Sequence, residues 1–301
     1  MYNHQEMDHK LLKYLMLVMI SALSILTYSQ SLNEQIKIET KVYKTIGLKR
    51  LKLYIFQPLE RKEGEKIPAI VFFHGGGFTQ GSASNFTPQC MYLADKGIVS
   101  ITVEYRLKNQ RGELPLICIS DAKSAIRWVR EHAAELNIDE NRIAAGGGSA
   151  GGHLAASTAL LKGFDEVNEN LKISSVPNAL VLFNPVLDIP EILYQLPKRM
   201  VIAIKDRETE ISPMHNLVTG APPTIIFHGT ADESVPFHQA TKYCDKMKEY
   251  GNRCEVVPLE KLGHGFFRYN KSNNAAFFST MERTVKFLIS IGYLNEDPII
   301  K

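Results

Sequence analysis

One short stretch, RIAAGGGSAGGHLA from Arg142 to Ala155, constrains this chain more than any other. It sets five glycines around a single serine. The residues before it are few and apolar, as in a buried strand. The residues after it, GHLAASTALL, are small and helix-forming. The serine therefore falls on a strand-to-helix turn. Gly147, Ser149 and Gly151 spell G-x-S-x-G, the pattern of a nucleophile presented on a sharp turn. Side chains beside Ser149 would collide with strand and helix in so tight a turn, and glycine avoids this. Taken alone, the same letters also fit a serine in a glycine-rich loop, so support must come from the rest of the chain.

That support begins with the order of elements. KIETKVYKTI and LKLYIFQP alternate as an opening antiparallel pair of strands. Buried strands follow in IPAIVFFHGGG, IVSITVEYRL, RIAAGG, NALVLFNPVLD, PPTIIFHGT and CEVVPLE. Helices are expected in SASNFTPQCMYLADKG, ending at Gly97, in LICISDAKSAIRWVREHAAEL and in SAGGHLAASTALL. Two more are expected in PFHQATKYCDKMKEYG, closed by Gly251, and NNAAFFSTMERTVKFLISIG. Such alternation implies an α/β fold, a mainly parallel central sheet of about eight strands with helices on both faces. PEILYQLPKRMVIAIKDRETEISPMHN interrupts the series and reads as a small lid. No linker divides the rest, so one catalytic domain is expected over 30–301.

The N-terminus differs. Lys10 and Lys13 precede a 15-residue apolar run, Tyr14 to Tyr28, followed by polar SQSLNEQ. The run is short for a span of about 20 residues. It reads as a signal peptide over 1–29, which implies export to the periplasm or beyond and no stable membrane insertion after cleavage. No cysteine follows the run, which argues against a lipid anchor. A net charge of +3 in 301 residues is too small to imply a nucleic-acid partner. The four cysteines, Cys90, Cys118, Cys244 and Cys254, lack metal-ligand spacing, so no metal is expected. Cys118 lies in an apolar stretch and should be buried. Cys244 and Cys254 flank a helix-turn-strand connection. Two separate thiols are the expectation there, and a disulfide the alternative in an exported chain.

Parallel α/β sheets place function at the C-terminal ends of their strands. His74-Gly75-Gly76-Gly77 follows AIVFF, Ser149 follows RIAAGG, Asp232 follows TIIFHGTA, and His264 follows CEVVPLEKLG. All four fall on one edge of the expected sheet. A serine hydroxyl is a poor nucleophile at neutral pH and needs a base, for which His264 is the candidate. The imidazole needs a carboxylate to set its tautomer, for which Asp232 is the candidate and Asp188 the runner-up. A tetrahedral oxyanion needs backbone donors, which Gly75, Gly76, Gly77 and the amide of Ala150 can supply. His153 is expected to pack, His228 to order the acid turn, and His74 to shape the glycine loop. His215 and His238 are weaker rivals as base. Glu104-Tyr105-Arg106 stands where it could buttress that loop or be a solvated strand end. Trp128 reads as core.

FFHGGGF, GGGSAGGHLA, HGTADESVP and GHGFF resemble the α/β-hydrolase superfamily over nearly everything after residue 45. The likeness is to exported bacterial carboxylesterases, the hormone-sensitive-lipase-like and the acetyl-xylan or feruloyl-esterase-like enzymes. Their chain order is also serine, acid, histidine. The resemblance implies a serine carboxylesterase with Ser149 as nucleophile, Asp232 as acid, His264 as base, and no cofactor. Two departures stand out. The lipase-like branch has Asp before the elbow serine, where this chain has Gly148, and YRLAPE where this chain reads YRLKNQ from Tyr105. Both favour the carbohydrate-ester relatives, and so acetyl-type esters of small molecules, sugars or polysaccharides as substrates. The alternatives are a prolyl-oligopeptidase-like peptidase, a lipase, and a non-catalytic binding protein on the same scaffold.

Overall fold

The computed structural model describes residues 35–59, 64–107, 115–269 and 274–295. The expected signal peptide, 1–29, lies outside them, as do residues 108–110 of YRLKNQ. The strands are β1 (Ile36–Ile46), β2 (Lys49–Pro58), β3 (Ile67–Phe73), β4 (Val99–Val103), β5 (Ile138–Gly148), β6 (Ala179–Phe183), β7 (Thr224–Gly229) and β8 (Cys254–Leu259). The helices are α1 (Thr87–Asp95), α2 (Leu116–Glu131), α3 (Ala150–Leu160), α4 (Ile189–Ile192), α5 (Lys198–Ala203), α6 (His238–Glu249) and α7 (Ala275–Ser290).

The eight strands of the described residues join one sheet in the order β1-β2-β4-β3-β5-β6-β7-β8. β1 and β2 form the expected antiparallel hairpin, turning at Gly47. β2 meets β4 antiparallel, and every pairing from β4 across to β8 is parallel. β1 and β8 are the outer strands.

A parallel sheet must be covered on both faces. Every residue of β3 is buried, and its side chains alternate between two cores. Ala69, Val71 and Phe73 join Leu53, Ile101 and residues of α2, α3 and α6. Ile70 and Phe72 join Phe183, Phe227 and residues of α1 and α7. Burying either phenylalanine contributes roughly 1.5–3 kcal/mol. In α2 the inward residues Cys118, Ile119, Ala122, Ala125, Ile126 and Val129 repeat at helical spacing. Trp128, expected in the core, is partly buried against it and stacks on His132.

The end of β4 is pinned by charge. Asp121 on α2 is fully buried. It accepts from Arg106 Nε at 2.8 Å, Arg106 Nη2 at 2.7 Å and the Arg106 backbone N–H at 2.9 Å, and it pairs with Lys44 Nζ at 2.7 Å. Lys44 and Arg106 also reach Glu166. Deleting one member would strand a buried charge, so the group acts as a unit. It ties β1, β4, α2 and the segment after α3 together just below the glycine loop. The interrupting stretch folds as α4, a 3-10 turn Leu193–Gln195, α5 and a second 3-10 turn Pro213–His215.

One expectation is corrected. Cys244 and Cys254 are not separate thiols but a disulfide, with Cα atoms 5.2 Å apart. The chain runs down α6, turns at Gly251 in the left-handed region, and returns along β8. That reversal brings the inward face of the helix onto the first residue of the strand. Cys254 pairs with Thr224, at the start of β7, on the sheet edge opposite the strand ends that carry Asp232 and His264. We predict that Cys244→Ser with Cys254→Ser lowers the unfolding midpoint by roughly 5–10 °C and leaves kcat unchanged. Calorimetry and steady-state kinetics on one preparation check both parts.

Candidate active site

The turn after β5 is strained where the sequence pattern demands it. Ser149 has φ 57° and ψ −123°, a conformation uncommon for a residue with a side chain. Its N–H donates to the Phe183 carbonyl at 2.9 Å, and its own carbonyl accepts from His153 N–H at 3.0 Å. Strand and helix thus fix it from both sides. A Cβ on Gly151 would lie 2.0 Å from the Phe73 carbonyl oxygen, so only bare backbone lets α3 pass β3. A Cβ on Gly148 would meet the Phe267 ring at 2.5 Å. That aromatic ring occupies the space a side chain at this position would take.

Asp232 and His264 meet. His264 Nδ1 lies 2.8 Å from Asp232 Oδ2 and 3.0 Å from Oδ1. Asp232 Oδ1 also accepts from the N–H groups of Ser234 and Val235 at 2.9 and 3.0 Å. Burial would raise the Asp232 carboxyl, but hydrogen bonds from His228, His264 and the Val235 N–H outweigh it and hold it well below the usual carboxylate range. An ionised carboxylate on Nδ1 fixes the N–H there and leaves the Nε2 lone pair as acceptor.

Ser149 and His264 line the same cleft, of about 890 Å³. Gly75, Gly76, Gly77 and Ala150 line it with them. Gly76 has φ +120°, which a side chain would not tolerate. The loop is braced from beneath. Tyr105 donates from its hydroxyl to the His74 carbonyl at 2.7 Å and stacks on the His74 ring at 4.3 Å between centroids. His74 bonds the Gly75 carbonyl through Nδ1 at 2.8 Å. Of the two readings of Glu104-Tyr105-Arg106, the structure selects the buttress.

The rivals fall elsewhere. Asp188 caps α4, accepting from Glu191 N–H. His215 bonds Ser212, and His238 pairs with Glu191. His228 donates to the Val235 carbonyl at 2.9 Å and so orders the acid turn. His153 is fully buried and donates from Nε2 to the Ile211 carbonyl at 2.8 Å. Burial pulls it down to about 4 from the ordinary imidazole value.

Three residues escaped the sequence reading. Asn184, buried at the end of β6, sets its amide nitrogen 2.7 Å from His264 Nδ1 and 3.0 Å from Nε2. His264 therefore faces this carboxamide, and among the described residues no hydrogen bond joins it to the Ser149 hydroxyl. Phe267 stacks on Phe86 and Phe183 beside the serine. Gln89, fully buried in α1, donates to the Phe267 carbonyl at 2.9 Å and anchors the loop that carries His264. The FNP sequence after β6, at a strand end, was the one local signal for Asn184.

Comparison with known proteins adds relatives. The BD-FAE family model matches residues 53–247. Among curated proteins the chain is similar to the probable carboxylic ester hydrolase LipM of Mycobacterium tuberculosis, 29% identical over 214 residues, 66% of this chain and 49% of LipM. It spans about half the length of the first curated relatives it matches. Among solved structures it is similar to esterase 2 of Thermogutta terrifontis. The apo form has a TM-score of 0.81 at 45% identity, covering 86% of this chain and 97% of that one. The propionate-bound form gives 0.80, 45%, 86% and 96%. The form phosphorylated by paraoxon gives 0.79, 44%, 86% and 96%.

Two predictions follow from this geometry. Asp232→Asn should lower kcat on p-nitrophenyl acetate by about 10³- to 10⁴-fold, while Asp188→Asn stays within about threefold of wild type; the reverse pattern would reassign the acid. The second concerns His153, whose folded value lies below its unfolded one. The stability its neutral ring contributes is fully present above about 6.5 and is lost as pH falls toward about 4. Between those limits wild type should lose more of its unfolding midpoint than His153→Gln, and parallel melts at each pH would show it.

Proposed function

Because the chain belongs to the BD-FAE family, among the α/β-hydrolase carboxylesterases, we propose that it hydrolyses short-chain carboxylic esters through a Ser149–His264–Asp232 triad. The observation that carries this is the bond from His264 Nδ1 to a depressed Asp232 carboxylate on the wall of the cleft that also holds the strained Ser149.

In this reading Ser149 Oγ attacks the ester carbonyl while His264 Nε2 takes its proton. The Asn184 amide yields that lone pair as the hydroxyl approaches, since apo contacts tighten when substrate binds. Asp232 stabilises the imidazolium and is not itself protonated. The oxyanion that forms on the carbonyl oxygen is met by backbone N–H groups from Gly75, Gly76, Gly77 and Ala150. His264 then protonates the departing alcohol. Water, deprotonated by the same nitrogen, cleaves the acyl-enzyme and regenerates Ser149.

The reading takes the acyl group to be short, and the crowding next to Ser149 supports it. The Phe267 ring lies against Gly148, packed on Phe86 and Phe183. The solved relative with propionate bound is consistent with a small acid. For the alcohol we propose a sugar or polysaccharide carrying acetate. Gln80, Asn85 and Gln195 on the cleft wall offer neutral donors and acceptors suited to hydroxyl groups. Export of the domain 30–301 after removal of 1–29 belongs to the same proposal.

The test is hydrolysis of p-nitrophenyl esters from acetate to long acyl chains, beside acetate release from acetylated xylan. Wild type should favour acetate to butyrate, and Ser149→Ala should lose at least about 10³-fold. Rates rising with chain length would indicate a lipase, and no turnover by folded protein would end the esterase reading.

A further inference from the structure

The cleft around Ser149 carries an imbalance of charge that ester hydrolysis alone does not use. Its walls include neutral polar residues at Thr79, Gln80, Ser84, Asn85, Gln195 and Ser234. Among the described residues, no aspartate or glutamate lines it. Besides His264, the one ionisable cation among the described residues of the lining is Arg268. Other arginines of this protein are committed within the fold: Arg106 to Asp121, Arg127 to Asp165 and Glu169, and Arg142 to Asp139. Arg268 is exposed and, among the described residues, has no carboxylate within ion-pair distance. Its backbone is nonetheless fixed, since its N–H donates to the Gly265 carbonyl at 3.2 Å, in the turn that follows His264. Its neighbour Tyr269 packs edge-on against Phe277 at 5.0 Å, which holds the far side of that turn.

A guanidinium on a fixed backbone, at a cleft whose described lining holds no opposing acid, is suited to receive an anion. It offers two parallel N–H donors in one plane, the match of a carboxylate. The Asp232 carboxylate does not repel such a ligand strongly, because it lies behind His264 and is already met by several donors.

We propose that Arg268 binds a carboxylate carried by the substrate, so that the preferred esters are anionic, as in an acylated uronic acid or a dicarboxylic half-ester. This rests on the esterase reading above and deepens it by naming the substrate class.

The experiment compares kcat/KM within two matched pairs. In 4-acetoxybenzoate and 4-acetoxybenzamide the charge differs on the alcohol half; in p-nitrophenyl hemisuccinate and p-nitrophenyl butyrate it differs on the acid half. Wild type should favour the anion in at least one pair by roughly fivefold to tenfold at low salt. The preference should shrink at about 0.5 M salt. Arg268→Gln should bring the two members of that pair level, and Arg268→Lys should restore part of the difference. Equal rates in both pairs for wild type, or a preference that survives Arg268→Gln, overturn the proposal. Calorimetric binding of 4-hydroxybenzoate against 4-hydroxybenzamide to Ser149→Ala reads the same charge preference without chemistry. Turnover of esters with no charge preference strikes Arg268 alone. Charge-selective binding without turnover of any ester strikes the hydrolytic reading and leaves the anion site standing.

Discussion

The site depends on how closely two backbones approach. α3 leaves Ser149 directly over the end of β3, with no room for a side chain at Gly151 between them. That contact sets the direction of the helix, forces Ser149 out of the ordinary conformations, and brings the glycine loop after β3 beside the serine. A methyl group at the crossing would separate all three. The cost of the strained serine is met by the sheet, whose two buried cores leave the turn no looser alternative.

The candidate reactive groups sit on loops, yet each loop is tied to something buried. Tyr105 holds the glycine loop, and the Asp121 charge group holds the strand end that carries Tyr105. His228 and two backbone amides hold the acid turn. Gln89 holds the turn after β8. Each anchor is polar and makes its bond inside a largely apolar interior, where losing that partner would leave a further buried group unsatisfied.

Much of this was legible in the sequence because it is local. The alternation of apolar runs and helical patterns yields the sheet, and the strand ends locate Ser149, Asp232 and His264 in turn. The sequence ranks Asp232 above Asp188, since both follow strands, and the fold shows that the imidazole meets Asp232 while Asp188 caps α4. Asn184, Phe267 and Gln89 were not legible for a related reason. Each acts through a partner distant in the chain, and an asparagine, a phenylalanine or a glutamine carries no pattern of its own. Gly148 could be seen as a departure, but the Phe267 ring packed against it lies in another loop. The disulfide was missed because spacing alone does not say which face of α6 turns toward β8.

The two outer strands have a consequence for the molecule among its neighbours. An open sheet offers unpaired backbone groups at each end, and an incoming strand from another chain could continue it. β8 contains Pro258, which can donate no hydrogen bond. β1 presents Lys37, Glu39 and Lys41 along its length and breaks register between Val42 and Lys44. Both ends are poor templates for growth. The sheet stays open, yet each edge carries a feature that works against pairing with a strand of another molecule.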